Sequence, residues 1–571
     1  MCCMKKTTRL FAFLLSSFLF LSAFGCASKP QRPANMAPDK DSATYADWVK
    51  ENRPENTSEF IKTQWDKWNI GKDITLDWFI GLPSHTYLKD WSEYTLLNEV
   101  VQITGVSPKV NVPAGDPTER LNIMITMDEW PDLITVGYGD SIINKLIENG
   151  YVYSMEELAA LYAPDFVTKE LPQSLVQDTR SDFDQKLYGI PGGYLLEFLC
   201  ESKDGVGAYT YSVRKDFYNE LGKPSITALD DFYNTLKAFK QKYPTLNEKP
   251  SIPLCLGTNG TEGITTLRYS FGVYDYYIRE DNTLTVYIFN PKFKELLLFL
   301  NKLNREGLID PDALVKDKSQ IDQDLATRTF MCPAYFWYLD AANATLESEK
   351  KGNRFISIEP LNNTGTDKVV FPGLTRLGGQ FTMIPKKAKN PEAAFKFLRY
   401  MISKDGNMLM MYGHEGEHYE FVEKDGEEWI RRTEYVQEQW TNNYTGFNEQ
   451  TGMFCFPYAF LKPNPEIGME HPDRMAYDRP IANKYCFDNT LLSFGMAPDP
   501  SSDEGIALQK IGDIQSKETY RVINADSEEA ALAAFEKFID RVKAVNNLDK
   551  VEKFLTDQYN KNLAKFKEPK Y

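Results

Sequence analysis

Three things are scarce in this 571-residue chain, and each scarcity closes off a class of function. Basic charge is the first: 65 Lys and Arg stand against 81 Asp and Glu, for a net charge of −16. Nucleic acid needs clustered cations to displace the counterions of its phosphates, so no nucleic-acid partner is expected. Paired cysteine is the second. Cys2 and Cys3 lie at the extreme N-terminus and Cys26 follows an apolar run, which leaves Cys200, Cys255, Cys332, Cys455 and Cys486, odd in number and far apart. Without a C-x-x-C the pattern is not that of zinc; buried free thiols are expected, with one disulfide left open. Long hydrophobic runs are the third. The stretch from Leu10 to Leu21 falls short of the ~20 residues that span a bilayer. Catalytic signatures are missing as well, with no G-x-S-x-G, P-loop or H-E-x-x-H. His414 and His418 flank glycines that make a turn, and Asp310, Asp312, Asp317, Asp322 and Asp324 lack EF-hand spacing and read as surface acid. Nothing marks a carboxylate pair for glycoside hydrolysis. The expectation is a protein that is not an enzyme and takes no cofactor or metal.

What is present begins at the N-terminus. Lys5, Lys6 and Arg9 precede the apolar run, and Ala23-Phe24-Gly25-Cys26 follows it, the order of a secretory signal. This segment resembles the bacterial lipoprotein signal, which implies that Cys26 is acylated and becomes the first mature residue. Cleavage of an ordinary signal near Ala23 or Gly25 is the alternative, and either route takes the protein out of the cytoplasm. Residues 27–40 are polar and Pro-rich and read as a tether. From Tyr45 to Trp68 charged residues alternate with Trp48, Phe60, Trp65 and Trp68, as in a short helix on the outside of the body.

The body is too long for one core, since cores stop growing at roughly 250–300 residues, so two lobes are expected. Ile74 to Phe79 reads as a strand, and a helix with Trp91, Leu96, Val100 and Ile103 on one side follows it. Val110 and Val112, then Leu121 with Met124 and Ile125, then Leu133 to Val136 continue the alternation that marks an α/β fold with a mostly parallel sheet. Ser154 with Glu157 forms a capping box, Thr227 reads as a helix cap, and Asn390-Pro391-Glu392 opens a helix cleanly. Ala530 to Phe566 reads as a helical tail. Aromatic content of 13% is high; flat rings with a polar handle suit the C–H faces of sugars.

Several short stretches recur in one order: Pro131-Asp132-Leu133-Ile134, Lys186-Leu187-Tyr188-Gly189-Ile190-Pro191, Val213-Arg214-Lys215-Asp216, Asn390-Pro391-Glu392-Ala393-Ala394, and Tyr412-Gly413-His414-Glu415-Gly416. With them the chain resembles the carbohydrate-type bacterial extracellular solute-binding lipoproteins, the family that includes maltose-binding protein. The resemblance implies two α/β lobes, each a mostly parallel sheet flanked by helices, joined by crossings. One lobe would be 73–190 with 376–430 and the other 195–372 with 431–571, after a signal to residue 26 and a peripheral segment over 27–72. It implies a monomeric, lipid-anchored subunit of an ABC importer that takes an oligosaccharide and docks on the permease transmembrane subunits, a peptide ligand or a secreted carbohydrate-active enzyme being the alternatives. Ligands of open α/β sheets sit at the carboxyl ends of strands, which selects His85, Tyr138 and Asp140. Tyr194 and Arg376 stand at the crossings, and Trp337, within Tyr335 to Tyr338, would stack on the ligand. Trp440 and Tyr444 are further candidates.

Overall fold

The computed structural model describes residues 32–82, 88–193, 207–310, 312–350, 352–373, 375, 377–424, 427–453, 468–470 and 478–566. Two sheets organise them. Their strands are β1 (Ile74–Ile80), β2 (Val106–Asn111), β3 (Leu133–Gly137), β4 (Gly189–Gly192), β5 (Tyr209–Arg214), β6 (Ile252–Leu254), β7 (Thr329–Tyr335), β8 (Phe355–Ile358) and β9 (Gln380–Met383). The first sheet runs β2-β1-β3-β9-β4 and the second β8-β5-β7-β6. Pairing is parallel for β1 with β2 and β3 and antiparallel for β9 with β3 and β4. In the second sheet β5 is antiparallel to β7 and β8, and β7 is parallel to β6. Each sheet therefore has one reversed strand, β9 in the first and β5 in the second. Those two are the strands by which the chain enters each sheet from the other.

Alternation along the strands builds a core on each face. Leu76, Trp78 and Ile80 pack with Trp91, Leu97, Val100 and Phe397, while Phe79, Ile134 and Val136 face Leu121, Ile142 and Leu146 on the other side. Fully buried Trp78 keeps its indole N–H satisfied by Thr135 at 2.9 Å. In the second sheet Tyr211, Val213 and Met331 pack with Phe232, Leu236 and Leu296. Cys332 and Ala334 face Ile321, Leu325 and Leu346. Burying one such side chain contributes roughly 1.5–3 kcal/mol, so these four layers hold the two lobes. Cys255, Cys332 and Cys486 are buried free thiols; Cys26, Cys200 and Cys455 lie outside the described residues. Among the described residues no helix is long and apolar enough to cross a membrane.

Several sequence expectations need correction. Residues 32–40 are no free tether: Met36 and Ala37 are buried, and Met36 bridges to Gly71. Two helices follow, Tyr45–Asn52 and Glu59–Trp68, where one was expected. Thr227 does not cap. The helix Leu229–Lys242 has Ala228 at its N-cap, because the Thr227 hydroxyl is engaged with Ser225 at 3.0 Å. The helical tail is broken at Asn547, which adopts φ 64 between Glu528–Lys543 and Leu548–Lys565. Segment 431–453 was assigned to the second lobe, but Val436, Phe447 and Met453 bury their apolar surface in the first core. Asp310 and Asp324 are buried rather than surface acid. Lys316 and Arg328 neutralise both, with Lys316 to Asp324 at 2.7 Å and Arg328 to Asp310 at 3.2 Å. Asp317 caps the helix Lys318–Arg328 in a box with Gln320.

Candidate functional site

Register places the ends of both sheets where the chain crosses between them. In the first, Gly137 and Gly192 both stand opposite Gln380, so β3 and β4 end where β9 begins. In the second, Tyr335 at the end of β7 stands opposite Tyr209 at the start of β5. The crossings touch each other at this point. Gly379 N–H donates to the Gly192 carbonyl at 3.2 Å. Gly378 has φ +77, and a Cβ there would lie 2.2 Å from that same carbonyl oxygen, so only glycine fits.

The second sheet contributes an aromatic end. Trp337 lies in the turn Phe336–Leu339 and keeps 41% of its surface exposed, and it is the one tryptophan among the large hydrophobic residues left exposed in the described chain. Its ring stacks on Tyr335 with centroids 5.2 Å apart and planes 5° apart, and Phe336 meets it edge-on at 4.8 Å. Tyr335 in turn packs on Tyr209 at 4.8 Å, and Tyr209 meets Tyr269 edge-on at 5.1 Å. Burial pushes the Tyr209 and Tyr269 phenols up, so both stay neutral. The Tyr269 hydroxyl donates to Asp275 at 3.0 Å, and Arg268 donates to the same oxygen at 2.8 Å. The shelf under Trp337 is thus fixed by packing and by charge. Part of the Trp337 ring is left to solvent.

The first sheet contributes the loop after β3. Tyr138 N–H donates to the Gly379 carbonyl at 3.2 Å. Its ring stacks on Phe381 at 4.5 Å and meets Phe494 at 5.0 Å. Gly139, with φ +103, passes so close to Gly495 that a Cβ would lie 3.0 Å from its nitrogen. Asp140 precedes the helix Ser141–Glu148 without a side-chain capping bond. Loss of solvent pushes its carboxyl above the ordinary carboxylate range, offset in part by a hydrogen bond from the Gly137 backbone. Tyr138 and Asp140 share the wall of a cavity of about 800 Å³ with Phe494, Gln558, Lys561 and Lys565.

The structure thus brings Tyr138 and Asp140 together and sets Trp337 at the matching end of the other sheet. His85, Tyr194 and Arg376 lie outside the described residues, as do the side chains of Trp440 and Tyr444. Sequence reasoning missed Tyr209 and Tyr269, which no spacing links to Trp337. It also missed the C-terminal Gln558, Lys561 and Lys565, which share the cavity wall with residues hundreds of positions earlier in the chain.

Comparison with known proteins places this geometry. The family described as bacterial extracellular solute-binding protein matches residues 102–408. Lipoprotein LipO of Bacillus subtilis is 26% identical over 352 residues, 58% of this chain and 64% of LipO. The fructooligosaccharide ABC transporter substrate-binding protein FusA of Streptococcus pneumoniae is 27% identical over 240 residues, 40% of this chain and 44% of FusA. The chain thus spans less than two thirds of the length of either relative. The crystal structure of an extracellular solute-binding protein from Bifidobacterium longum subsp. infantis shares the fold, with a TM-score of 0.64 at 15% identity over 86% of this chain and 98% of that one.

Proposed function

Because the chain belongs to the bacterial extracellular solute-binding proteins, we propose that it captures an oligosaccharide between its two sheets and delivers it to an ABC permease, acting as a monomer held at the membrane through acylated Cys26. It performs no covalent chemistry. Ligand bridges the lobes and favours the closed form by its differential affinity for that form, and the closed form docks on the permease. The observation that carries the reading is Trp337, an exposed ring stacked on Tyr335 at the strand ends where the crossings begin. A flat, rigid platform of that kind covers the C–H face of a sugar ring at small entropic cost. Asp140 supplies an acceptor for hydroxyls, and Tyr138 offers its ring edge and hydroxyl, its face being held by Phe381. His85, Tyr194 and Arg376 complete the proposed contact set from the loop after β1 and the two crossings. FusA, named for fructooligosaccharides, supports the ligand class.

Thermal-shift screening of a glycan and peptide panel tests this. A ligand that binds only the folded state at a hundred times its Kd adds ~2.7 kcal/mol of stability, a clear rise in Tm. Glycan hits without turnover are expected. Hits among peptides alone would remove the sugar, and hydrolysis of any bound glycan would make the protein a carbohydrate-active enzyme.

A further inference from the structure

Residues 32–40 lie along the first lobe. Ala37 N–H donates to the Ile70 carbonyl at 2.9 Å, Lys72 N–H to the Asn35 carbonyl at 2.9 Å, and Arg32 to Glu392 at 2.7 Å. Only residues 27–31 then separate Cys26 from the packed chain, and the six steps from Cys26 to Arg32 fully extended reach at most ~22 Å. A lipid on Cys26 would hold this particular face of the first lobe that close to the headgroups. On the same face is a depression of about 190 Å³ lined by Lys40, Lys67, Lys396 and Arg399, with Asp39 the one acid in its wall. Around it Glu392 pairs with Lys396 at 2.7 Å, Glu170 with Arg399 at 2.6 Å, and Asp405 with Lys67 at 2.5 Å. The face is therefore charge-balanced on a chain of net −16, and it is a surface an anionic bilayer does not repel. Crowding by protein atoms lowers the Lys40 pKa; Asp66 opposes that, and the neighbouring Lys396 and Arg399 add to it. The Lys40 ammonium donates to the Asp66 and Lys67 carbonyls at 3.0 and 3.1 Å, which leaves one of its three N–H groups to an anion entering the depression.

We propose that this face of the first lobe seats on the membrane, with the phosphate of an anionic phospholipid headgroup held between Lys40, Lys67, Lys396 and Arg399. The proposal rests on the reading that Cys26 is acylated. Seated this way, the protein would present the crossing side of its sheets in a fixed orientation instead of tumbling on a long leash.

The experiment compares amine acetylation, read by mass spectrometry, of the acylated chain in equimolar phosphatidylglycerol–phosphatidylcholine vesicles, in phosphatidylcholine vesicles and in detergent. In the anionic vesicles Lys40 and Lys67 should label about five-fold more slowly than in detergent, while Lys537 and Lys543 stay unchanged. Lys396→Gln with Arg399→Gln should restore labelling of Lys40; should that variant be poorly folded, insertion of a long Gly/Ser segment between Gln31 and Arg32 should do the same. In a second arm, the unacylated chain 27–571, which retains every described residue, should sediment with the anionic vesicles and not with phosphatidylcholine, and should be released by high salt. Equal labelling in vesicles and detergent overturns the proposal, as does equal protection by phosphatidylcholine or protection by inorganic phosphate without lipid. A chain that never partitions to membranes when Cys26 is intact defeats the acylation reading, and the second arm then decides the headgroup contact alone.

Discussion

Trp337 and Tyr138 each follow a strand that ends at the crossings, and they use their rings differently. Tyr138 is clamped between Phe381 and Phe494, so its face is already in contact with protein. Trp337 has one face on Tyr335 and Phe336 against it, and still keeps 41% of its surface exposed. Truncating Tyr138 to Ala is expected to cost ~2–3 kcal/mol of stability, somewhat below the value for a fully buried aromatic, and to weaken glycan affinity less than loss of Trp337 does, since only its edge and hydroxyl are offered to the ligand. Truncating Trp337 to Ala should do the reverse. Ring stacking is worth ~1–3 kcal/mol by alanine substitution on nucleic-acid bases, so glycan affinity should fall about ten-fold with little change in Tm. Calorimetric titration and melting of the two variants check this, and a Trp337→Ala variant that binds like the wild type removes Trp337 from the ligand site. Trp337 was singled out as part of an aromatic run where the resemblance implies a stacking ring, and Asp140 because a loop follows a strand. Tyr209 was not, since its place beside Tyr335 depends on a strand register that pairs residues 126 apart.

At the scale of elements, local chemistry was read well where the donor and acceptor are neighbours in sequence. Ser154 and Glu157 form the capping box, and the Asn390 side chain accepts from Ala393 N–H at 3.1 Å. Thr227 failed because its hydroxyl is taken by Ser225 at 3.0 Å and its carbonyl accepts from the distant Asn362 N–H at 2.9 Å. The same kind of distant contact joins three helices around His414. Its ring nitrogen meets the Glu99 carboxylate at 3.0 Å, and Phe60 packs edge-on at 4.7 Å. The hydrogen bond with Glu99 raises the His414 pKa against desolvation, whereas desolvation lowers that of His418. A histidine with a raised pKa in the folded state gives stability that is full below its unfolded value of ~6.5 and is lost as pH rises through the folded value. His418 acts with the opposite sign, losing stability as pH falls through its depressed value. Replacing Glu99 with Gln removes the first effect, together with the weaker pull of Glu99 on His418. The variant should be less stable than wild type by at most about 1 kcal/mol below about pH 6, given partial exposure, and the gap should close in alkaline solution. Denaturant melts from acid to alkaline pH measure it, and a gap that does not change with pH would show that the pair is not titrating.

The largest scale is where the sequence was least explicit. Length alone implied two lobes, and the resemblance implied crossings between 190 and 195, between 372 and 376 and at 430–431, but nothing local announced a further contact between the lobes. The helix Leu548–Lys565 supplies it. Val551 and Leu555 pack with Leu284 and Met496 beside the second lobe, while Tyr559, Leu563 and Phe566 pack on the first core. Lys565 ties its end down by donating to the Arg180 carbonyl at 2.8 Å and to Asp182 at 3.0 Å. The cavity of about 800 Å³ lies between this helix and the helix Ser141–Glu148. A rotation of one lobe relative to the other would slide or bend a helix that packs on both. Lys565→Met should loosen that end with little cost to the core, and Phe566→Ala should loosen it further at ~2–4 kcal/mol of stability. If closure works against this strap, a glycan that selects the closed form should bind the variants more tightly, by about three- to ten-fold, because the closed form is already a larger fraction of the free protein. Small-angle scattering should show the unliganded variants more compact than the wild type and the liganded forms alike. Affinity that is unchanged or weaker in Lys565→Met, with the fold intact by circular dichroism, would mean that the C-terminal helix rides with one lobe and does not restrain the other.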